Sequence, residues 1–213
     1  MEGLDLLKKD WKKNENSFEQ VSEKQIYKMI HKSSSSIVKW IFIISLLEFA
    51  LWSILSFCMK DSEVMQKFES YHVEHIMLPF TIIGYVVLAY FFFQFFMNYR
   101  RISATDNSRI LISNIIKTRK KVYQYVWFNI IYGIVSSFVV TYIQLTHDEE
   151  IIGMISQFDK DGHGTLIYGI YFLMVIVFIA FFVGLIWLFY KLIYGILLKR
   201  LYKNYEELKK IDL

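Results

Sequence analysis

The residues most suggestive of chemistry lie in the stretch QFDKDGHGTLIYGIY, at positions 157–171. When this stretch is aligned on a twelve-residue calcium-binding loop, Asp159, Asp161 and His163 take positions 1, 3 and 5, and Gly164 takes the turn. Position 12 should supply a bidentate carboxylate but is Ile170, so the pattern fails at its most important ligand. We expect an Asp/Gly turn that starts an apolar helix, with a weak site for calcium or another divalent metal as the alternative.

A second set of potential metal ligands occurs in the segment HVEH, at 72–75. A helix brings residues three apart to one face, so His72 and His75 could share a zinc, copper or nickel ion. With Asp159, Asp161 and His163, they form the candidate metal set of this chain. The alternative is a solvated acidic loop whose histidines titrate near neutral pH.

Glu48 lies near the middle of an apolar stretch, IFIISLLEFALW. A carboxyl group at that depth in a bilayer costs about 2.5–3.5 kcal/mol on insertion scales and therefore needs a partner. Asn129 and Ser136 lie at comparable depth in a later apolar segment and could form hydrogen bonds with it. Two interpretations stay open: a hydrogen-bonded Glu48 that joins two helices, or a proton or cation relay in a small transporter.

No motif of an enzyme active site occurs in the sequence. It contains no nucleophile elbow, phosphate-binding loop or pair of catalytic carboxylates. The single cysteine, Cys58, excludes an internal disulfide and a CxxC metal site. We therefore expect a non-enzymatic protein without a cofactor.

Four long apolar segments dominate the chain. Of its 213 residues, 55% are hydrophobic and 18% are aromatic, whereas soluble domains have roughly 45–50% apolar residues. A helix needs about 20 apolar residues to cross a bilayer, and four such segments occur, at about 38–59, 76–97, 122–145 and 166–190. The sequence therefore predicts an all-α integral membrane protein, with a four-helix bundle at residues 37–191.

Charges are distributed unevenly around these segments. Residues 1–39, 98–121 and 191–213 carry 21 Lys and Arg, whereas 60–75 and 146–165 carry 3 Lys against 9 Asp and Glu. Because Lys and Arg resist translocation near span ends, we expect both termini in the cytoplasm and the acidic segments outside. The predicted location is the cytoplasmic (inner) membrane, whose anionic lipids account for the basic side without a nucleic-acid partner.

Both terminal segments show helical apolar patterns. Residues 1–36 are predicted to form amphipathic helices, with a capping box of Ser22 and Gln25 and a flexible joint at the four serines of 33–36. The candidate partner-binding residues are the apolar faces of these helices: Leu4, Leu7, Trp11, Ile26, Met29 and Ile30. For the first three, packing on the membrane surface is the alternative.

Residues 192–213 are predicted to form a cytoplasmic helical tail that continues the last span. An apolar stripe runs along it among Lys and Glu residues: Tyr194, Leu198, Leu201, Tyr205 and Leu208. Such a stripe needs a packing partner. The candidates are the N-terminal helices or a second copy of the chain, which would make the protein a homo-oligomer.

The N-terminal segment and the first span resemble a group of bacterial four-span membrane proteins. The similarity lies within residues 4–40, in LDLLKKDWKK and VSEKQIYKMIHKSSSSIVKW. Some members of that group are encoded beside alternative sigma factors, which implies a membrane-tethered regulator of the anti-sigma kind. The zinc-binding pattern of one His and two Cys found in some anti-sigma proteins is absent here. We therefore expect a membrane regulator or scaffold that binds a cytoplasmic protein. The alternative is a small transporter or an ion- or metal-handling protein that uses Glu48 and the outward His and acidic residues.

Overall fold

The computed structural model describes residues 22–105, 107–160 and 164–211. Within these ranges the chain forms helices and no strand. The helices are α1 (Glu23–Cys58), α2 (Glu63–Ser70), α3 (Glu74–Ser103), α4 (Ser108–His147), α5 (Glu149–Lys160) and α6 (Gly164–Ile211). The predicted all-α four-helix bundle is confirmed.

Four of these helices, α1, α3, α4 and α6, are long and apolar enough to cross a membrane. They contain 36, 30, 40 and 48 residues. At about 1.5 Å per residue, even the shortest is about 45 Å long, whereas the hydrocarbon core of a bilayer is about 30 Å thick. Each helix therefore extends beyond the apolar layer, as expected for a membrane protein with helical extensions.

The long helices alternate in direction and pack in sequence order around a square. Helix α1 packs on α3 and α6, and α4 packs on the same two helices, while α1 and α4 face each other diagonally. The basic end is defined here as the end where α1 and α4 begin and α3 and α6 end. The acidic end is the opposite one, which also carries the short helices α2 and α5.

Helix α1 begins at the predicted capping box. The Ser22 hydroxyl accepts a hydrogen bond from the Gln25 backbone N–H at 3.3 Å, and the Ser22 backbone N–H donates to Gln25 Oε1 at 2.8 Å. The predicted flexible joint at 33–36 is wrong, because α1 continues through all four serines. Asn204 Nδ2 of α6 lies 3.0 Å from the hydroxyl oxygens of both Ser33 and Ser34. This contact with α6 satisfies polar groups that would otherwise favour a turn.

Helix α6 passes Lys191 without a break, which confirms the predicted helical tail. Four residues of its apolar stripe are buried in the core, and a fifth packs against it: Tyr194, Leu198, Leu201, Leu208 and then Tyr205. The stripe packs within the same chain, because α1 and α4 are the helices that α6 contacts along this length.

The well-packed core lies towards the basic end. In the most apolar window of each long helix, only 11%, 11%, 17% and 0% of the residues are buried, in chain order. Outside those windows, Ile102, Leu111 and Leu201 are fully buried. Two side chains of α1 hold the connection between α3 and α4 against the bundle. The Tyr27 hydroxyl donates to the Thr105 carbonyl at 3.2 Å, and His31 Nε2 lies 2.7 Å from the Ile102 carbonyl oxygen.

Candidate functional site

Glu48 hydrogen-bonds to tyrosines from two other helices. Tyr125 of α4 donates its hydroxyl to Glu48 Oε2 at 2.9 Å, and Tyr190 of α6 donates to Glu48 Oε1. The carboxyl therefore joins α1 to α4 and to α6 at one level. Residue Glu48 itself is half-buried.

A third tyrosine completes this group. Tyr194 lies one helical turn beyond Tyr190, and its ring centroid is 5.7 Å from that of Tyr190 and 6.0 Å from that of Tyr125. Its buried hydroxyl lies close to the Glu48 carboxylate and the Tyr125 hydroxyl, but the distance or angle to each falls outside that of a hydrogen bond. We refer to Glu48, Tyr125, Tyr190 and Tyr194 as the carboxyl–tyrosine cluster.

Aromatic rings surround the cluster on the α3 side. Phe91 and Phe95 meet Tyr125 edge-on, with ring centroids 5.5 and 5.4 Å away. The ion pairs among the described residues are Lys67–Glu150 and Lys203–Glu207, and neither includes Glu48. The edge-to-face packing of Phe91 and Phe95 fixes the Tyr125 ring, and so directs the Tyr125 hydroxyl at the Glu48 carboxyl group.

The cluster lies nearer to the basic end than the sequence suggested. Glu48 is in the middle of the first apolar segment, but Tyr125 follows Lys121 by four residues and Tyr190 immediately precedes Lys191. The Lys121 ammonium donates to the Tyr90 hydroxyl at 2.8 Å, and that of Lys191 lies 4.7 Å from the Trp187 ring centroid. Both lysines mark the ends of their apolar segments, so the carboxyl lies about one helical turn from the boundary of spans three and four.

The expected polar partners of Glu48 are corrected by this geometry. Asn129 Nδ2 donates to the Tyr125 carbonyl at 2.9 Å, and the Ser136 hydroxyl donates to the Tyr132 carbonyl at 2.6 Å. Both side chains therefore bond within α4 rather than to α1. The expected link from Glu48 to the third span exists, but Tyr125 makes it.

One family model matches residues 24–213, nearly the whole chain, and is described as "Domain of unknown function (DUF8845)". The chain belongs to this family. No curated protein and no solved structure matches it. The match contains every residue of the carboxyl–tyrosine cluster and begins one residue after the start of α1.

The candidate partner-binding residues divide at this family boundary. Leu4, Leu7 and Trp11 precede the match and lie outside the described residues. Within the match, Ile26 is 36% exposed and Met29 is 65% exposed, whereas Ile30 is 5% exposed and belongs to the core. Ile30 is therefore unavailable to a partner, and the exposed candidates on α1 are Ile26 and Met29.

The candidate metal ligands are only partly described. His72 lies in the α2–α3 turn with a positive φ of 51°, and His75 lies in the first turn of α3; both are exposed. Asp161, His163 and the side chain of Asp159 lie outside the described part. Where side chains are described, no three His, Cys, Asp or Glu residues come together as metal ligands.

The acidic end carries a polar contact that the sequence did not reveal. The Tyr71 hydroxyl donates to Asp148 Oδ2 at 2.9 Å, while Asp148 Oδ1 accepts from the backbone N–H groups of Glu150 and Ile151 at 3.0 and 3.2 Å. Lys67 pairs with Glu150 at 2.9 Å. We call this group the acidic-end clasp, since it connects the C-terminal end of α2 to the start of α5.

The clasp changes the ionisation of Asp148. Burial raises the pKa of this carboxyl, but the hydrogen bonds from Tyr71, Ile151 and Glu150 and the charge of Lys67 outweigh burial and lower the pKa below its ordinary value. Donors that stabilise the ionised form produce this direction. Asp148 thus caps α5 as a carboxylate.

Proposed function

We propose that this protein is a non-enzymatic membrane regulator or scaffold whose basic end binds a cytoplasmic protein. Support comes from the position of the packed core. Among the described residues, six of the twelve largest fully buried side chains lie beyond the apolar segments at the basic end: Ile102, Leu111, Ile115, Tyr194, Leu201 and Leu208. A membrane anchor alone needs no such bundle beyond its apolar layer, whereas a docking platform does.

The proposed orientation places the basic end in the cytoplasm of a bacterium. The 21 Lys and Arg around this end, against 3 Lys near the acidic end, fit the preference of cytoplasmic flanks for basic residues. The partner would then approach from the same side as both chain termini. A sigma-factor-like protein is one partner of this kind, and this choice follows from the resemblance of residues 4–40.

The proposed contact surface is the exposed face at the start of α1. Ile26 and Met29 are three residues apart and expose their side chains, while the neighbouring Ile30 fixes the helix to the core. Apolar residues spaced in this way on a rigid helix provide anchors for a partner helix or groove. Residues 1–21 would extend this surface.

Substitution of Met29 by Glu is the most direct test. We expect Met29→Glu to abolish co-purification of the partner with the intact protein in detergent, because the anchor becomes charged at an exposed position that does not support the fold. Ile110→Glu is the matched control, since Ile110 is 53% exposed near the same end of α4. Equal capture by both variants and the wild type, or capture by none of them, would contradict the proposal.

A deletion provides a second measurement. Removal of residues 1–21 leaves Tyr27, Ile30 and His31 in place, whereas a longer deletion through residue 32 removes their contacts with the core and the α3–α4 turn. We expect the shorter deletion to weaken capture without lowering the Tm of the four-helix bundle. Unchanged capture would assign binding to α1 alone.

Orientation can be tested with cysteine labelling in a Cys58→Ser background. We expect a membrane-impermeant maleimide to label Asp61→Cys in intact spheroplasts, and to label Lys28→Cys only after permeabilisation. Both positions are exposed, Lys28 near the start of α1 and Asp61 in the turn after its end, so the comparison does not depend on burial. The reverse pattern would place the basic end outside and exclude a cytoplasmic partner there.

A further inference from the structure

Glu48 is a membrane carboxyl whose hydrogen-bond partners are all uncharged. Its nearest basic residues along the neighbouring helices, Lys121 and Lys191, contact Tyr90 and Trp187 instead. A carboxylate in an apolar layer without a counter-charge is costly, and a bound positive charge removes that cost. The Glu48 carboxyl could therefore bind a cation, and the smallest cation is a proton.

We propose that the carboxyl–tyrosine cluster is a proton-binding site, in which Glu48 takes up and releases a proton from the basic-end side of the membrane. The proton joins one carboxyl oxygen of Glu48, and no other bond forms or breaks. The proposal does not depend on a protein partner at α1, so either can fail without the other.

The hydroxyl groups of the cluster can satisfy Glu48 in both states. When the carboxyl is ionised, Tyr125 and Tyr190 donate to its two oxygens, as the structure shows. When it is protonated, it becomes a donor and needs an acceptor. The Tyr194 hydroxyl is buried beside it without a hydrogen bond, and a hydroxyl oxygen can accept as well as donate. Tyr194 is therefore the group that accepts from the protonated form.

The other groups around the carboxyl leave Glu48 as the site of titration. Helix α3 contributes Phe91 and Phe95, which do not ionise. Helices α4 and α6 contribute the three tyrosines, with the two lysines about one turn away. Of the described ionisable groups that face this carboxyl, the tyrosines ordinarily lose a proton only near pH 10, and Lys near 10.4.

The position of the cluster favours exchange from the basic end. Glu48 is half-buried, and the ends of spans three and four lie about one turn away, as Lys121 and Lys191 show. Tyr190 and Tyr194 belong to the same uninterrupted helix as Leu201 and Asn204. Protonation would replace the charge-assisted hydrogen bond from Tyr190 to Glu48 with neutral hydrogen bonds, which are weaker, and so weaken the α1–α6 contact next to the packed core.

Infrared spectroscopy of the full-length protein in lipid nanodiscs tests the proposal. Spectra would be recorded from about pH 3 to about pH 11, which brackets ordinary carboxyl and tyrosine titration. We expect a component of the protonated-carboxyl band that disappears as the pH rises in the wild type, and this component should be missing from Glu48→Gln, in which the other carboxyls still titrate. In Tyr125→Phe, which lacks a donor to the ionised form, the midpoint should rise by about one pH unit, a tenfold increase in proton affinity.

Tyr132→Phe is the matched control, because the Tyr132 hydroxyl donates to the Phe80 carbonyl, away from Glu48. Its midpoint should equal that of the wild type. If Glu48→Gln does not fold, the difference between Tyr125→Phe and Tyr132→Phe still assigns the band. The proposal is overturned if no such band titrates, or if Tyr125→Phe leaves its midpoint unchanged. It is also overturned if sodium at constant ionic strength displaces the midpoint, since the site would then take a metal cation.

Discussion

Two regions of the molecule are built from the same four helices but are packed very differently. The basic-end bundle is the part that lies beyond the apolar segments at the basic end, and the membrane section is the part formed by those segments. Along α6, Leu201 and Leu208 are fully buried, whereas Leu173 in the membrane section is 64% exposed. Along α1, Ile30 is 5% exposed and Ile54 is 61% exposed. Residue type does not explain the difference, because each pair has the same or similar chemistry.

The surroundings of each region explain it. In water, apolar side chains must be covered by protein, so the basic-end bundle closes around a core. In lipid, the same side chains can face acyl chains at no cost, and helix association relies on close packing and polar contacts. The carboxyl–tyrosine cluster lies where the two regimes meet, and it provides the membrane section with a polar contact among three helices.

The largest expected effect is the difference in stability between two variants, each with one leucine truncated, one in the basic-end bundle and one in the membrane section. Leu201→Ala should lower the free energy of unfolding by about 3 kcal/mol, because it leaves a cavity in a fully buried core. Leu173→Ala, which makes the same chemical change at an exposed position, should change it by less than about 0.5 kcal/mol. Denaturant unfolding in one detergent, followed by circular dichroism, measures both values.

Equal costs at the two positions would break the comparison. Such a result would mean that Leu173 is covered by protein in the assembled state, by a second copy of the chain for example. A crosslinking measurement at position 173 would then identify the neighbour. A small cost at Leu201 would instead show that the basic-end bundle is not the stable part of the molecule.

Much of the architecture follows from local sequence signals, because each has a direct physical cause. Apolar runs of bilayer length predict the four spans, and the Ser22 and Gln25 pattern predicts the start of α1 to the residue. The stripe from Tyr194 to Leu208 predicts a packed tail. The serine run at 33–36 misleads, since its conformation is decided by Asn204, which is about 170 residues away in sequence.

The carboxyl–tyrosine cluster was harder to predict from the sequence, because it too depends on contacts between residues that are distant in the chain. Glu48 is recognisable as an intramembrane carboxyl, but its partners depend on the relative depth of three helices. Tyr125 and Tyr190 lie beside lysines at span ends, where tyrosine is typical of an interfacial belt. The four-residue spacing of Tyr190 and Tyr194 places both on one face, and this signal could have suggested a shared partner.

A smaller effect is expected where the membrane section does pack closely. At Gly84 in α3, an added Cβ would lie 2.5 Å from the hydroxyl oxygen and 2.7 Å from Cζ of Tyr132. The Tyr132 ring stacks on the Phe80 ring, with centroids 4.8 Å apart, and the Tyr132 hydroxyl donates to the Phe80 carbonyl. The Tyr132 side chain therefore cannot move freely. Gly84→Ala should therefore lower the free energy of unfolding by about 1–3 kcal/mol.

Gly169→Ala is the matched control in the same section, because an added Cβ there meets nothing within 4 Å. It should be neutral, or stabilising by up to about 1 kcal/mol, since Ala favours the helix. Combining Gly84→Ala with Tyr132→Leu should remove most of the cost. If Gly84→Ala behaves like Gly169→Ala in the same unfolding measurement, α3 and α4 do not approach closely at this level.

The smallest effect is expected at the acidic-end clasp, which is neither a packed core nor an apolar span. Burial raises the pKa of Asp148, but hydrogen bonds from Tyr71, Ile151 and Glu150 and the charge of Lys67 lower it below its ordinary value. A carboxyl whose pKa is lowered in the folded state stabilises the fold at pH values above its unfolded pKa, near 4. This contribution is lost as the pH falls through the folded pKa.

Asp148→Asn keeps a capping side chain but does not titrate. We expect it to lower the Tm by at most about 2 °C at neutral pH, and by progressively less as the pH falls through the lowered folded pKa of Asp148, because the carboxyl then loses its charge. Tyr71→Phe should reduce the neutral-pH difference between Asp and Asn at position 148. A difference that persists unchanged in acid would show that the clasp acts through shape and not through charge.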